Sequence, residues 1–340
     1  MATKGYNSYH GRMPTGKKIL IVVLVILLLG ACAFLYCQNH LVYDDSGKVH
    51  LELPFGKKEK PDTDTDGGGT EENNVPLERE EPQRPTIDAV HGQELSSDVL
   101  TREPAGVLQE AAEADTLVIN VKLADGSFTY QPGFPVSSRA DSGDALDTEH
   151  LKALLASGKH MVARVSALCD TAYAYDHVDE AGLKRTTDGW LWYDYNSQCW
   201  LDPASAVTAD YLKQVCRELA EMGFDEILLD WFGYPTYGRT DLLDVAADVN
   251  REKVLTDLVS AVREAVPKIT AVSVVLREDN PEVSGLTPTL LAGFDRIYAD
   301  SYTVDCDALV QKLPDSFKSE TQLVKMVREA QSSGSYMIVQ

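Results

Sequence analysis

Two aspartates follow short apolar stretches that have the composition of buried strands. Asp230 ends the stretch 224–230, and Asp300 ends the stretch 296–300. In parallel β/α barrels the chemical groups gather at the carboxyl ends of the strands, so both carboxylates would lie at one barrel mouth. A carboxylate and a carboxylic acid placed there are the groups that cleave glycosidic bonds. We therefore predict Asp230 as nucleophile and Asp300 as acid/base. The alternative is structural: Asp230 caps the next loop or pairs with Arg164, and Asp300 caps its own loop.

Three polar residues within apolar stretches are candidates for substrate binding. Arg164 interrupts the stretch 161–168, and a charge there must point into a barrel or be paired. Asn120 and Lys122 share one parity in the stretch 116–122 and would face the same side. We predict that the three side chains hold sugar hydroxyls at the barrel mouth. The alternative is a buried ion-pair network that stabilises the barrel.

Aromatic residues stand close to the predicted strand ends. Trp231 and Tyr234 follow Asp230, and Trp200 precedes Asp202 at a predicted helix start. Aromatic faces stack on the apolar faces of pyranose rings, so we predict Trp231, Tyr234 and Trp200 as sugar contacts. Asp202 is a further candidate for substrate binding, with helix N-capping as its alternative.

An aromatic loop between residues 170 and 200 is a further candidate for sugar binding. It carries several large rings: Trp190, Trp192, Tyr193, Tyr195 and Trp200. Such a loop could be a platform for a saccharide or a lid that packs on the barrel. The sequence does not decide between the two.

The elements that must position these residues alternate between strand and helix. Strands are predicted at 86–91, 116–122, 161–168, 224–230, 269–276, 296–299 and 336–339, and helices at 105–114, 148–157, 202–222, 249–266, 287–292 and 319–331. The alternation predicts a parallel α/β fold, and specifically a (β/α)8 TIM-like barrel. An eighth strand is expected between 302 and 319 but is not recognisable, so the barrel could be degenerate. A doubly wound open sheet is the alternative.

The first 85 residues have a different composition from the rest. Residues 1–18 form a basic tail, and 19–37 is an uncharged apolar run long enough to cross a bilayer. The basic residues place the N-terminus in the cytoplasm, so we predict a single-pass signal anchor in the cell membrane. A lipobox-like motif ending at Cys32 is the alternative. An acidic, disordered stalk is predicted at 38–85, with a small hairpin within it, and an extracytoplasmic domain at 86–340.

Several partners are not indicated by the sequence. The six cysteines include no CxxC pair and the seven histidines show no metal spacing, so neither a metal nor a cofactor is predicted. The formal net charge of −22 argues against a nucleic-acid partner, because duplex binding needs basic patches. Cys216 fits the apolar stripe of a helix and is expected to be a buried thiol. A disulfide between Cys169 and Cys199 is left open.

A longer motif supports the barrel interpretation. Residues 223–235, Gly-Phe-Asp-Glu-Ile-Leu-Leu-Asp-Trp-Phe-Gly-Tyr-Pro, follow Trp-Leu-Asp-Pro at 200–203 and Met-Val-Ala-Arg-Val at 161–165. In this order the segments resemble a bacterial family of glycosyl-hydrolase-like barrels over residues 86–340. The resemblance implies a TIM-type barrel that acts on a polysaccharide. It also implies that Asp230 occupies the strand position that holds the nucleophile in many retaining barrel glycosidases.

The chain departs from the family pattern at several positions. Gly233 stands where the family has an arginine, and Asn120 and Leu123 stand where it has acids. Three hypotheses follow. The first is a glycoside hydrolase acting on an extracytoplasmic or cell-envelope polysaccharide through a pair of carboxylates. The second is a glycan-binding protein without hydrolase activity, and the third is a structural envelope protein that uses the barrel only to hold partners.

Overall fold

The computed structural model describes residues 41–43, 49–51 and 85–339. The chain divides into two units, 1–77 and 78–340. In the first unit, Leu41–Tyr43 and Val49–Leu51 form an antiparallel pair within the segment predicted as a small hairpin. The predicted basic tail, the membrane anchor and most of the stalk lie outside the described residues. Among the helices that are described, none combines the length and the apolar composition needed to cross a membrane.

The second unit contains eight parallel strands that close into a barrel in the described part of the chain. The strands are β1 (His91–Glu94), β2 (Thr116–Lys122), β3 (His160–Ser166), β4 (Glu226–Asp230), β5 (Ala271–Leu276), β6 (Ile297–Asp300), β7 (Leu323–Val327) and β8 (Tyr336–Ile338). Each strand pairs with the next, and β8 pairs with both β7 and β1. The (β/α)8 TIM barrel predicted from the alternation is therefore confirmed, and the open sheet is excluded.

Helices surround this barrel. They are α1 (Pro104–Glu110), α2 (Ala145–Leu155), α3 (Thr171–Asp176), α4 (Ala206–Met222), α5 (Arg251–Ala265), α6 (Pro288–Leu291), α7 (Cys306–Lys312) and α8 (Ser319–Gln322). The α4 helix buries its apolar stripe, including Cys216, and ends at Gly223, whose φ of 113° allows the left-handed cap. Cys169, Cys199, Cys216 and Cys306 are buried free thiols, so the structure shows no disulfide among the described cysteines.

The predicted helix at 319–331 is wrong, and the strand thought to be missing lies inside it. Residues 319–322 form α8, and the chain then continues as β7, Leu323–Val327. Val324 and Met326 point into the barrel, whereas Leu323 packs outward. A short run that is apolar on both faces has the same pattern as a buried helix segment, so periodicity did not separate the two. The barrel is complete, and α7 occupies the gap where the eighth strand was expected.

Two other predicted boundaries are corrected by the structure. The first strand is His91–Glu94 instead of 86–91. The helix predicted to begin at Asp202 begins at Ala206, with Ser205 as N-cap. The Oδ1 atom of Asp202 accepts the N–H of Ala204 at 2.9 Å and so stabilises a turn before the helix.

Side chains of β4 alternate between the barrel interior and the surrounding helices. Leu228 belongs to the interior cluster of Val90, Val118, Val162, Leu228, Val275, Tyr298, Val324, Met326 and Met337. Ile227 and Leu229 pack outward into the larger cluster between strands and helices. Burial of each such side chain contributes about 1.5–3 kcal/mol. The same alternation points Asp230 inward at the carboxyl end of the strand.

Candidate active site

Polar side chains from five successive strands of the barrel meet at its carboxyl end. They are Glu94 at the end of β1, Asn120 in β2, Arg164 in β3, Asp230 at the end of β4 and Arg277 just after β5, and they line a cavity of about 290 Å³. The Oε1 atom of Glu94 accepts from Nδ2 of Asn120 at 2.7 Å and from Nη1 of Arg164 at 2.5 Å. Parallel strands bring these residues together because their carboxyl ends share one rim of the barrel.

Asp230 lies at the centre of this network and is 5% exposed. Nε of Arg164 donates to Oδ2 at 2.9 Å, while Nε and Nη2 of Arg277 donate to Oδ1 and Oδ2 at 3.0 and 2.8 Å. The backbone N–H of Trp231 donates to Oδ1 at 2.9 Å. Burial alone would raise the pKa of Asp230, but the positive charges of Arg164 and Arg277 outweigh it and hold the pKa well below its ordinary value. Asp230 is therefore ionised, and both of its oxygens are engaged.

The cavity of about 290 Å³ is called the mouth cavity below. Trp231 separates it from a second cavity. Its φ of 52° is unusual for a residue other than glycine, and the residue lines both cavities. The guanidinium of Arg277 lies 4.7 Å from the Trp231 ring centroid, and Trp200 meets the ring edge-on at 5.9 Å. Trp231 and Arg277 together form a wall that both cavities share.

The second cavity is a groove of about 410 Å³ with several aromatic walls. It brings together three predicted sugar contacts, Trp200, Trp231 and Tyr234. Burial, together with the charge of Asp202, raises the pKa of Tyr234 to about 12, so its hydroxyl is protonated. Gly233 also lines the groove with a φ of 151°, and an added Cβ would lie 3.1 Å from Cβ of Ser284. This backbone strains any side chain at the position where the family pattern has an arginine.

Glu278 is a further carboxyl group at this end of the barrel, and sequence reasoning missed it. It is half-buried in the wall of the aromatic groove. Burial raises its pKa, and the hydrogen bond from Oγ1 of Thr236 at 2.8 Å offsets the effect only in part. Glu278 and Arg277 follow the predicted strand 269–276 directly, so the strand-end rule that selected Asp230 would have found both.

Lys122 also lines the mouth cavity, but its ammonium group is already held in a buried ion pair. Its side chain is fully buried, and Nζ lies 2.8 Å from Oδ2 of Asp170 and donates to the carbonyl of Ser166 at 2.7 Å. A register shift between Asn120 and Lys122 interrupts the pairing of β2 with β3 at this point. Asp170 also accepts from the hydroxyl of Tyr211 at 3.0 Å. These contacts favour the structural interpretation of Lys122.

Asp300 and Asp202 line neither of the two cavities. The Oδ1 atom of Asp300 accepts the N–H of Tyr302 at 3.0 Å, which is the loop-capping contact of the structural alternative. The charge of Asp300 still raises the pKa of Arg277, which lines the mouth cavity. Burial would lower the pKa of Arg277, but Asp230, Asp300 and Glu94 raise it overall. Asp300 thus faces the same end of the barrel as Asp230 without sharing a cavity with it.

Within residues 85–339 the structure brings no group of three or more histidine, cysteine, aspartate or glutamate side chains into an arrangement that could hold a metal ion. The charged and amide groups that line the mouth cavity are carboxylates, guanidiniums, the amide of Asn120 and the paired ammonium of Lys122. Their chemistry is proton transfer, charge stabilisation and hydrogen bonding to a polar substrate.

A closed parallel barrel with its polar groups at the carboxyl ends of the strands has the architecture of a TIM-barrel enzyme. The family described as "Putative glycosyl hydrolase domain" matches residues 95–279, more than half of the chain, and the chain belongs to this family. The resemblance noted in the sequence is therefore confirmed.

A solved glycoside hydrolase domain shows the same fold at low sequence identity. The PgaB (BpsB) glycoside hydrolase domain from Bordetella bronchiseptica is 13% identical over 75% of this chain and 94% of its own, with a TM-score of 0.52. A hypothetical protein from Ruminiclostridium thermocellum is 20% identical over 54% of this chain and 96% of its own, with a TM-score of 0.45. No curated protein sequence matches the chain.

Proposed function

We propose that the protein hydrolyses a glycosidic bond of a polysaccharide that binds in the aromatic groove. The observation that carries this proposal is the contrast between two carboxyl groups on either side of the wall formed by Trp231 and Arg277. The pKa of Asp230 is lowered and that of Glu278 is raised. An ionised carboxylate close to a protonated carboxylic acid is the arrangement that glycoside hydrolysis requires.

In this proposal Glu278 is the general acid. It donates its proton to the glycosidic oxygen as the bond between that oxygen and the anomeric carbon breaks. Asp230 stabilises the positive charge on the sugar or bonds to the anomeric carbon. Water then adds a hydroxyl group to this carbon and returns a proton to Glu278, and where Asp230 has bonded to the carbon that bond breaks and its carboxylate is regenerated. Asp300, the acid predicted from the sequence, remains the alternative to Glu278. It is the weaker candidate because it lines neither cavity.

The step requires that Arg277 release Asp230. Arg277 donates two hydrogen bonds to the Asp230 carboxylate and stands between it and the groove. Its side chain is 32% exposed, against 9% for Arg164, so Arg277 is the partner with room to move. A sugar ring that stacks on Trp231 would compete with the guanidinium for the same aromatic face.

The second candidate function is glycan binding without hydrolysis. The specific observation in its favour is that both oxygens of Asp230 accept hydrogen bonds from the two arginines and the Trp231 N–H. A carboxylate that stays in this state is a poor nucleophile and base. The barrel mouth would then be a rigid support for the groove.

Hydrolysis by the full-length protein and three variants separates the two functions. A panel of polysaccharides is screened for binding, and every bound glycan is assayed for new reducing ends. If the protein is a hydrolase, Glu278→Gln should lose at least about a hundredfold in turnover, the usual effect of removing a general acid. Asp230→Asn should lose at least about as much, because it removes the charge that stabilises the sugar cation. The matched variant Asp300→Asn keeps its turnover. Binding with no hydrolysis by the wild-type protein supports the second function, and loss with Asp300→Asn alone would restore Asp300 as the acid.

We propose in addition that the barrel lies outside the cytoplasm and is anchored by the apolar run 19–37. The support is the sequence, in which basic residues precede an uncharged run of membrane-spanning length. Protease added to intact cells should then remove a C-terminal tag. A tag that is cleaved only after lysis would contradict this topology.

A further inference from the structure

Large aromatic side chains are exposed on two loops that also contribute residues to the groove. They are Trp190 at 50%, Tyr193 at 51%, Tyr195 at 62% and Tyr237 at 53% exposure. Trp192 and Trp200 from the same loop are buried, so the loop predicted from the sequence as platform or lid has features of both. Exposed aromatic rings that cluster next to a cavity are typical of a binding surface.

Two of these rings continue the wall of the groove outward. Tyr237 lines the groove, and its ring meets that of Tyr195 at a centroid distance of 5.0 Å and an angle of 84°. We call these two tyrosines the aromatic ledge. Asn196, beside Tyr195, also lines the groove. The ledge is therefore continuous with the proposed glycan site.

A buried carboxylate holds Tyr195 in place. The Oδ1 atom of Asp194 accepts the backbone N–H groups of Asn196 and Gln198 at 2.8 and 3.0 Å. Ser197 completes the turn with a φ of 63°. Asp194 itself is 5% exposed. The backbone of the turn is therefore fixed by hydrogen bonds, while the ring of Tyr195 stays exposed to solvent.

The backbone next to Tyr237 is fixed against the same turn. Gly238 has a φ of 132°, and an added Cβ would lie 2.8 Å from the ring of Trp192. Nε1 of Trp192 donates to the carbonyl of Arg239 at 2.8 Å. These contacts join the two loops and pre-organise both tyrosines, although neither ring is buried. Pre-organised aromatic rings bind a partner at a low cost in conformational entropy.

We propose that the aromatic ledge binds sugar units that extend beyond the groove, so that the substrate is a long, uncharged polysaccharide. This inference rests on the proposed function. Tyrosine faces stack on pyranose rings without requiring a charge on the sugar. Beside the ledge, Arg239 and Asp241 neutralise each other in an exposed pair at 2.7 Å. The formal net charge of −22 opposes a polyanionic chain.

The test measures affinity for a polymer and for its short fragment separately. The full-length protein is run in native gels that contain glucomannan, laminarin, xylan, hydroxyethyl cellulose or polygalacturonate. The trisaccharide of the retained polymer is then titrated by calorimetry. Tyr195→Ala is expected to bind the polymer roughly fivefold more weakly than the wild type and the trisaccharide equally well. Tyr195→Trp should keep polymer affinity.

Tyr175→Ala is the matched control. Tyr175 is 41% exposed under Arg139 and lines neither the groove nor the mouth cavity, so its removal should leave polymer affinity unchanged. Unchanged polymer affinity in Tyr195→Ala would overturn the ledge and leave the proposed function standing. Failure of the wild-type protein to bind any polymer or trisaccharide would overturn both the ledge proposal and the proposed function. Strongest retention of the wild-type protein by polygalacturonate would overturn the proposal that the substrate is uncharged. If Tyr195→Ala weakened trisaccharide binding as much as polymer binding, Tyr195 would belong to the groove, and the ledge proposal would be overturned.

Discussion

Asp230 and Glu278 are carboxyl groups at the same end of the barrel, but their surroundings favour opposite protonation states. Two guanidiniums and a backbone N–H stabilise the charge of Asp230, whereas Glu278 is half-buried and receives one hydrogen bond from a neutral hydroxyl. The chemistry of each residue is therefore set by its neighbours and not by its type.

Thr236→Val tests Glu278 as the general acid. The Thr236 hydroxyl donates to Oε2 of Glu278 and lowers its pKa, so its loss should raise that pKa further. The acid must be protonated to act, so activity falls as pH rises through its pKa. The basic limb of the kcat/KM profile is expected to move to higher pH in Thr236→Val. A basic limb that stays in place would exclude Glu278 as the group that titrates.

Asp230→Asn tests the energetic role of the central carboxylate. The change removes the carboxylate that Arg164 and Arg277 share and leaves Arg164 paired with Glu94 alone, so we expect a loss of about 3 kcal/mol in unfolding free energy at pH 7. Because the folded pKa of Asp230 is lowered, its contribution to the unfolding free energy is fully present above the unfolded pKa of about 4. It is lost progressively as the pH falls from there through the folded pKa.

Urea unfolding at pH 7 and pH 3 measures this contribution. The difference between the wild type and Asp230→Asn should shrink at pH 3. The matched variant Asp300→Asn keeps an oxygen for the Tyr302 N–H and should stay within about 0.5 kcal/mol of the wild type. A difference for Asp230→Asn that is equally large at both pH values would contradict the ion-pair explanation.

At the scale of elements, a buried ion pair connects the end of β2 to the start of α3. Lys122 and Asp170 are both fully buried, and Asp170 also accepts the N–H of Tyr173 as the N-cap of α3. Lys122 lines the mouth cavity together with the polar groups around Asp230. It positions the strand that carries Asn120 and the loop that leads to the aromatic groove.

A double-mutant cycle measures this connection. Lys122→Met leaves the Asp170 charge unpaired, and Asp170→Asn leaves the Lys122 charge unpaired, so each should cost about 3–5 kcal/mol. The double variant should lose about 1–3 kcal/mol less than the sum of the single losses, because both charges are then absent. Chemical denaturation gives the three values. Strict additivity would mean that the pair does not couple the two elements.

At the scale of the whole molecule, the barrel depends on a short last strand. Tyr336–Ile338 pairs with both β7 and β1, and Met337 is fully buried in the interior. Without β8 the ring opens and leaves two unpaired edges, which favour aggregation over folding. The polar ring at the mouth would also lose the closure that holds β1 and Glu94 in place.

Deletion of residues 335–340 should therefore abolish cooperative unfolding. Deletion of residue 340 alone is the control and should leave the transition unchanged. Circular dichroism during heating and size-exclusion chromatography provide the readouts. A monomeric protein with a sharp transition after the longer deletion would show that barrel closure is not required for folding.

Local patterns in the sequence were sufficient for the barrel and for selecting several residues that line its two cavities. Strand and helix periods depend on neighbouring residues, so the alternation, the inward direction of Asp230 and the apolar stripe of α4 could be predicted. The same locality explains the failure at Leu323–Val327, because a short run buried on both faces has no distinguishing period.

Only the tertiary structure decided what Asp230 is bound to and what lies beside it. Arg164 and Arg277 are 66 and 47 residues away along the chain, and barrel closure brings them into contact with it. The same closure leaves Asp300 outside both cavities and places Glu278 in the groove wall. Protonation states and cavities depend on such distant neighbours, since charge and burial act through space and not along the sequence.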